Sequence, residues 1–321
     1  MKAIVLTKYG SPDGLKLVVI PQPVPKTNEV LVEVHAASIN SWDWEIVKGT
    51  PFVNRMTFGL FKPKKNVILG CDIAGMVVAL GGNVKRLKVG DKVFGDISKS
   101  GWGGFAEFVC TDENALSLKP EKLSFVDAAA SPQAGLLAVQ GLLRIGHLKK
   151  GQKVLINGAG GGAGTFAVQI AKHLGTEVTG VDSAEKLATI KSLGADHVID
   201  YAKVDFTKNG KKYDLIWDVM TTRSISAYKR ALLPKGEYVT VGGYTPKLLR
   251  VILFGRLFPG DKKIRLLIHK PNKSLDLLVR FFEEGKVKPV IDKLFPLNKV
   301  PEAFRYFGEG QFKGKVVIKL E

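Results

Sequence analysis

From Lys2 to about Leu123, apolar and polar positions alternate in short runs cut by Gly, Pro and Asp: KAIVL, LKLVVI, EVLVEVHAASI, DIAGMVVAL, DKVFGDI and GFAEFVC. Successive side chains of a strand point to opposite faces, so this alternation with frequent turn residues predicts a twisted antiparallel barrel or roll. The period then changes. Residues 125–143 carry apolar side chains at helical spacing, and beyond them strand-like and helical runs alternate: KVLING, TFAVQIAKHLG, EVTGVD, AEKLATIKSLG, HVIDY, YDLIWDV, ISAYKRALL, GEYVTVGG and IRLLIHK. Such βα alternation predicts a parallel sheet wound on both faces by helices. Residues 274–285 read as an amphipathic helix opened by Ser274 and closed by Gly285. The tail returns to strand character in VKPVIDKLFPL and GKVVIKL. The first region is therefore expected to recover its last piece from the end of the chain.

The turn after the run Val154-Leu-Ile-Asn157 is rich in glycine: Gly158, Ala159, Gly160, Gly161, Gly162, Ala163 and Gly164, followed by an amphipathic helix. A strand feeding such a turn and a helix N-terminus places backbone N–H groups where a pyrophosphate can sit. The run EVTGVD ends in Asp182, eighteen residues after Gly164. An acidic side chain about 20 residues beyond the glycines suits the hydroxyls of an adenosine ribose. The plainer alternative is a glycine turn serving only close packing.

Composition narrows the picture. A chain of 321 residues with 45% hydrophobic residues has the length for about two domains. The uncharged run 154–171 is dense in glycine, which favours a strand, turn and helix over a membrane span. The N-terminus lacks a long apolar core with a small-residue cleavage site, so a cytoplasmic location is expected. The two cysteines, Cys71 and Cys110, exclude a disulfide framework and a four-cysteine zinc cluster. The net charge of +18 is uneven. Segment 46–70 holds Lys48, Arg55, Lys62, Lys64 and Lys65 among Phe52, Val53, Met56, Phe58, Leu60 and Phe61, with no acid. Segment 244–274 sets Lys247, Arg250, Arg256, Lys262, Lys263, Arg265, Lys270 and Lys273 against the single acid Asp261.

The motifs VLVEVHAASINSWDWEIVKG, GCDIAGMVVALGGNVKRLKVGDKVFG, GGFAEFV, SLGADHVIDY and the closing EEGKVKPVIDKLFPLNKVPEAFRYFGEGQFKGKVVIKL, with the glycine turn, are carried by one family. The chain resembles the zinc-free quinone oxidoreductases of the medium-chain dehydrogenase/reductase superfamily, in the branch of chloroplast-envelope quinone oxidoreductase homologues and alkenal or enone reductases. The resemblance implies a GroES-like, mainly β substrate domain over 1–124 and 271–321, with an inserted Rossmann-type doubly wound domain over 125–270. A cofactor cleft between the two is implied. Zinc-dependent relatives take a cysteine ligand in the segment that reads Ile39-Asn40-Ser41-Trp42-Asp43, and a His-Glu pair where this chain has Cys71-Asp72. A complete set of Cys and His donors is missing, so a metal-free protein is expected.

The resemblance also implies hydride transfer from a nicotinamide to a quinone, or to the C=C bond of an α,β-unsaturated carbonyl, whose own conjugation spreads the developing charge. The family's NPxDW-like motif appears as Asn40-Ser-Trp-Asp43-Trp44, and the Asn40 amide is the candidate donor to a carbonyl oxygen. Capping of a turn or helix by Asn40 and Asp43 is the alternative. Trp44 and Tyr244 are placed with Asn40 at the substrate cleft. The family's AxxGxxG turn reads Gly158-x-x-Gly161-x-x-Gly164, and Tyr201, the turn Val241-Gly242-Gly243 and Lys315 are carried over as cofactor contacts. A hydroxyl of the family's GLTA motif is absent from Gly135-Leu136-Leu137-Ala138. NADPH is the expected cofactor. Ser183 and Lys186 suit a 2′-phosphate, whereas Asp182 would repel it and keeps NADH open.

For the two basic segments, the readings are a lid over long-chain substrates, contact with an anionic membrane surface, or inward-packed loops with solvated lysines. Nucleic acid is not an expected partner, since no RNA-binding motif accompanies the charge. A homodimer is a further expectation. The alternative functions are an NADPH-binding protein of weak activity acting through RNA or a membrane surface, and an alcohol dehydrogenase.

Overall fold

The computed structural model describes residues 1–243, 248, 249, 251, 253 and 260–320. The chain forms two compact units, one of Met1–Gln133, Pro271–Leu275 and Ile291–Glu321, the other of Ala134–Lys270 and Asp276–Val290.

In the first unit a seven-stranded sheet runs in the order Ile291–Pro296, Lys315–Lys319, Glu29–Ser38, Asp72–Leu80, Lys92–Asp96 and Ser117–Leu118, with Phe108–Asp112 also paired to Glu29–Ser38. The pairings are antiparallel apart from that of Ile291–Pro296 with Lys315–Lys319. Alternation sends Val30, Val32, Ile73, Val77, Val93, Val316 and Ile318 into one core with Phe105 and Phe304. The register also gathers polar residues at one end of the sheet. Ser38 lies opposite Asp72, Asp72 opposite Asp96, and Ile39 N–H donates to Val316 O beside Lys315.

The second unit is built on a six-stranded parallel sheet in the order His197–Asp200, Glu177–Asp182, Lys153–Asn157, Tyr213–Asp218, Leu232–Thr240 and Lys263–Leu266. In chain order this is 3-2-1-4-5-6, the doubly wound arrangement whose direction reverses between the first and fourth strands. Ligands of such sheets bind beyond the carboxyl ends of the strands at that reversal. Asn157 and Asp218 end the two strands that flank it.

The first boundary falls at 133/134 instead of the expected 124/125, while that at 270/271 is as expected but is followed by a return of residues 276–290 to the second unit. Helix Phe125–Ala129 packs on strands Glu29–Ser38 and Asp72–Leu80, which ties residues 125–133 to the first unit. Helix Leu275–Glu283 belongs mainly to the second unit for an opposite reason. A Cβ at Gly135 would lie 2.5 Å from Leu278 Cδ2, and the Phe282 and Phe281 rings meet Phe166 and His173 edge-on at 6.4 and 5.5 Å. The amphipathic face read from the sequence is buried there against helix Gly162–His173.

Candidate functional site

The chain leaves strand Lys153–Asn157 through Gly158, whose φ of +85° is open to glycine and strained for other residues. Gly164 allows the following helix to approach, since a Cβ there would lie 2.0 Å from Gly158 O. Gly161 is the N-cap of helix Gly162–His173. The helix thus presents its first N–H groups and the positive end of its dipole at the sheet's carboxyl edge. Asp182 ends the neighbouring strand. Its carboxylate accepts from Gly160 N–H at 2.8 Å and Ser183 N–H at 2.9 Å, and Lys186 Nζ lies 3.8 Å from Oδ1, with both side chains buried. Exposed Tyr201 is linked to the same place by its N–H to Asp182 O, 3.2 Å. The structure therefore brings Gly158–Gly164, Asp182, Ser183, Lys186 and Tyr201 together at one end of the sheet.

Val241, Gly242 and Gly243 follow strand Leu232–Thr240 at that end. Val241 N–H donates to Asp218 O, and the hydroxyls of Thr221 and Thr240 lie 2.8 and 2.9 Å from Gly242 O. Asp218 anchors this turn. Its Oδ1 accepts from Asn157 Nδ2 at 2.8 Å and Met220 N–H at 2.7 Å, and its Oδ2 from the Tyr238 hydroxyl at 3.0 Å. Tyr228 also hydrogen-bonds to Asp218, and its ring stacks on Tyr238 at 4.1 Å. Burial pushes the Asp218 carboxyl up against these donors. Sequence reading passed over Asp218, Asn157, Tyr228 and Tyr238. Their signal was a polar residue closing an apolar run, in KVLIN and YDLIWD.

In the first unit Asn40 and Asp43 open helix Ser41–Lys48, with Asp43 Oδ2 accepting from Asn40 N–H at 2.9 Å and Oδ1 from Gly70 N–H at 2.9 Å. The Asn40 amide has another task. Its Nδ2 donates to Asp72 Oδ2 at 2.9 Å and reaches Cys71 Sγ at 3.4 Å, while Oδ1 accepts from Lys315 Nζ at 2.5 Å. Both amide protons are directed inside the unit, so the donation to a substrate carbonyl expected from sequence has no proton left in this arrangement. Lys315 is likewise buried, bonded to Ile39 O at 3.0 Å and 3.9 Å from Asp72 Oδ2. Its ammonium is committed to these oxygens and not displayed for a cofactor. Asp72 also accepts from Gln133 N–H at 3.1 Å and Ser38 Oγ at 3.4 Å. Burial pushes Asp43 up to about 7, and raises Asp72 and the Cys71 thiol too.

Trp44 packs where sequence placed a cleft residue. A Cβ at Gly308 would lie 2.4 Å from its Cη2, and the Phe307 ring is 6.4 Å away, so Trp44 secures helix Val300–Glu309. Its half-exposed neighbour Trp42 instead meets Trp102 edge-on at 5.1 Å. Tyr244 lies outside the described residues, as do Lys247, Arg250 and Arg256 of the second basic segment. In the first basic segment, Phe61 is 90% and Met56 70% exposed, and helix Val53–Phe58 has no buried residue.

Comparison with known proteins gives these two ends a context. An alcohol dehydrogenase GroES-like domain matches residues 26–121, and a zinc-binding dehydrogenase domain matches 193–318. The chain is 34% identical to the chloroplast envelope quinone oxidoreductase homologue of Arabidopsis thaliana, over 99% of this chain and 98% of that protein. It is 33% identical to the chloroplastic NADPH-dependent alkenal/one oxidoreductase of the same plant, over 99% of this chain and 79% of that one. Among solved structures, the quinone oxidoreductase from Coxiella burnetii has a TM-score of 0.89 and 33% identity, covering 100% of this chain and 99% of its own. The chain belongs to the quinone oxidoreductase family of the medium-chain dehydrogenase/reductase superfamily. It is an NAD(P)H-dependent oxidoreductase with a GroES-like domain and a Rossmann-type domain.

The name of one matching domain raises zinc, and the residues here do not fit it. Among the described residues, Cys71, Asp72 and Asp96 offer ligand atoms within 4.8 Å of one another. Asn40 points N–H groups at two of them, and Lys315 puts a positive charge beside Asp72. A cysteine binds zinc as its thiolate. Burial and the neighbouring carboxylates push the Cys71 thiol the other way.

Proposed function

We propose that the protein reduces quinones, or the C=C bond of α,β-unsaturated carbonyl compounds, with NADPH as hydride donor. The observation that carries this reading is the commitment of Asn40, Asp72 and Lys315 to one another inside the first unit. With these groups engaged and no zinc set that fits among the described residues, the acceptor has to spread negative charge through its own conjugation, as quinones and enones do. The names of the relatives point to the same acceptor classes.

Bound NADPH supplies the hydride. The chain's part is to bind and orient it. The Gly158–Gly164 turn and the N-terminus of helix Gly162–His173 suit the pyrophosphate. Asp182 has its charge offset by Lys186, 3.8 Å away, and both oxygens occupied by Gly160 and Ser183 N–H. That lowers the repulsion a lone carboxylate would exert on a 2′-phosphate, and Ser183 and Tyr201 supply hydroxyls beside it. Val241–Gly243, held by Asp218 and the two threonines, is the nicotinamide-side turn. Hydride addition at the β-carbon of an enone leaves an enolate that takes its proton from solvent.

Steady-state assay with a panel of quinones, enones and aldehydes, each with NADPH and NADH, tests this. The expected result is turnover of quinones or enones with preference for NADPH. Strong NADH preference defeats the cofactor assignment, and turnover confined to saturated aldehydes defeats the acceptor class.

A second reading concerns how the acceptor is reached. Exposed Phe52, Val53, Met56, Leu60 and Phe61 stand among lysines in a segment without acids, the composition of a face for an anionic lipid surface. Sedimentation with anionic liposomes is expected to pellet the protein at low salt and less at high salt. Absence of lipid-dependent pelleting removes this reading.

A further inference from the structure

Cys71, Asp72 and Asp96 are fully buried with their ligand atoms within 4.8 Å of one another, and Asp43, also fully buried, lies on the same interior. Carboxylates gathered out of water are costly unless a cation and hydrogen bonds offset their desolvation. A divalent metal or a side-chain ammonium can be that cation. Lys315 enters from strand Lys315–Lys319, with its Nζ 3.0 Å from Ile39 O, 2.5 Å from Asn40 Oδ1 and 3.9 Å from Asp72 Oδ2. The bond to Asn40 Oδ1 fixes which way that amide faces. Its NH2 then covers Cys71 Sγ and Asp72 Oδ2, and Gln133 Nε2 adds a second donor 3.6 Å from the same sulfur. Lone pairs that would bind a metal meet N–H groups instead.

The geometry points to Lys315 as the resident cation of this cluster, a positioning residue that neutralises Asp72, orients Asn40 and closes the Cys71–Asp72–Asp96 set to divalent metal. The zinc implied by one matching domain is replaced here by the chain's own ammonium. The inference is independent of which acceptor or nicotinamide the protein uses.

Cobalt(II) added to the full chain is the probe, read by the absorption that a cobalt–thiolate bond produces. Wild type is expected to stay blank. Lys315→Ala is expected to develop the band, and Lys315→Ala/Cys71→Ser to lose it again. A band in wild type, or a blank spectrum from a Lys315→Ala protein with native circular dichroism, overturns the inference. Should Lys315→Ala fail to fold, Lys315→Met and Lys315→Met/Asp72→Asn are compared by thermal unfolding. The double variant, with both partners neutral, is expected to melt above the single one, or to fold where the single one does not. A double variant that melts no higher, or is equally unfolded, overturns it.

Discussion

Each unit buries an aspartate at an end of its sheet, and the two are satisfied in different ways. Asp218, in the parallel sheet, is met by neutral donors: an amide, a backbone N–H and tyrosine hydroxyls. Asp72, in the antiparallel sheet, is met by an amide, a backbone N–H, a serine hydroxyl and the ammonium of Lys315. The surroundings explain the difference. Asp218 shares its site with hydroxyls and amides, which give protons without adding charge. Asp72 is in register with Asp96 and shares an interior with Asp43, so neutral donors alone would leave like charges crowded in a low dielectric. A single buried carboxylate is held by hydrogen bonds, and a group of them calls for a cation.

Removing that cation is the strongest way to break the comparison. Lys315→Met leaves buried carboxylates uncompensated and is expected to cost about 3–5 kcal/mol in urea unfolding, the range for breaking one partner of a buried pair. Asp218→Asn keeps the shape and presents an amide to donors arranged for a carboxylate. The expected loss is smaller, about 1–3 kcal/mol, with a raised KM for the nicotinamide cofactor because the Tyr238 hydroxyl, which is tied through Thr221 to Gly242 O, loses its carboxylate acceptor. Equal losses in the two variants would contradict the distinction between charged and neutral satisfaction.

The crowding of carboxylates also has a pH signature. Burial raises Asp43 to about 7 in the folded protein from its ordinary 3.8, and raises Asp72 in the same direction. Between about pH 4 and 7 the folded state therefore holds more protons than the unfolded one, so stability falls as pH rises through this window. The contribution of one such group is at most about 1.4 kcal/mol per pH unit. Urea unfolding across pH 4.5–7.5, as a wider span of buffers, is expected to show a shallower decline for Asp43→Asn than for wild type, whatever the variant's absolute stability. Parallel slopes would remove Asp43 from the titration.

The contrast also marks what a sequence carries. The six parallel strands, the glycine turn, Asp182 and the return of the tail to the first sheet are written in local periodicity and turn residues, and were legible. Asp218 and Lys315 were not legible in their roles. YDLIWD reads as a buried strand whatever its last residue bonds to, and Tyr238 meets Asp218 only because two parallel strands align. Lys315 is separated from Asn40 by 275 residues, and their contact follows from strand pairing across that distance. The same limit hid the packing of Trp44, whose partner Gly308 comes from the far end of the chain. The return of residues 276–290 to the second unit was hidden for a related reason, since helix Leu275–Glu283 is assigned by what its apolar face meets and not by its position along the chain.

The smallest effect sharpens the comparison most. Tyr228 is one of several donors to Asp218, and its oxygen also accepts from Thr222 and Arg223 N–H at 3.2 Å each. In Tyr228→Phe the carboxylate keeps Tyr238, Asn157 and Met220, and its site holds no second acid among its hydrogen-bond partners. The expected loss is about 1 kcal/mol, because the remaining donors share the charge and the N–H groups of exposed Thr222 and half-buried Arg223 turn to water. A urea midpoint shifted by that amount, with an unchanged slope, would show that neutral donors around Asp218 are redundant. A loss as large as that of Lys315→Met would mean that one hydroxyl holds the Asp218 charge as an ammonium holds Asp72. The two sites would then differ only in the name of their indispensable donor.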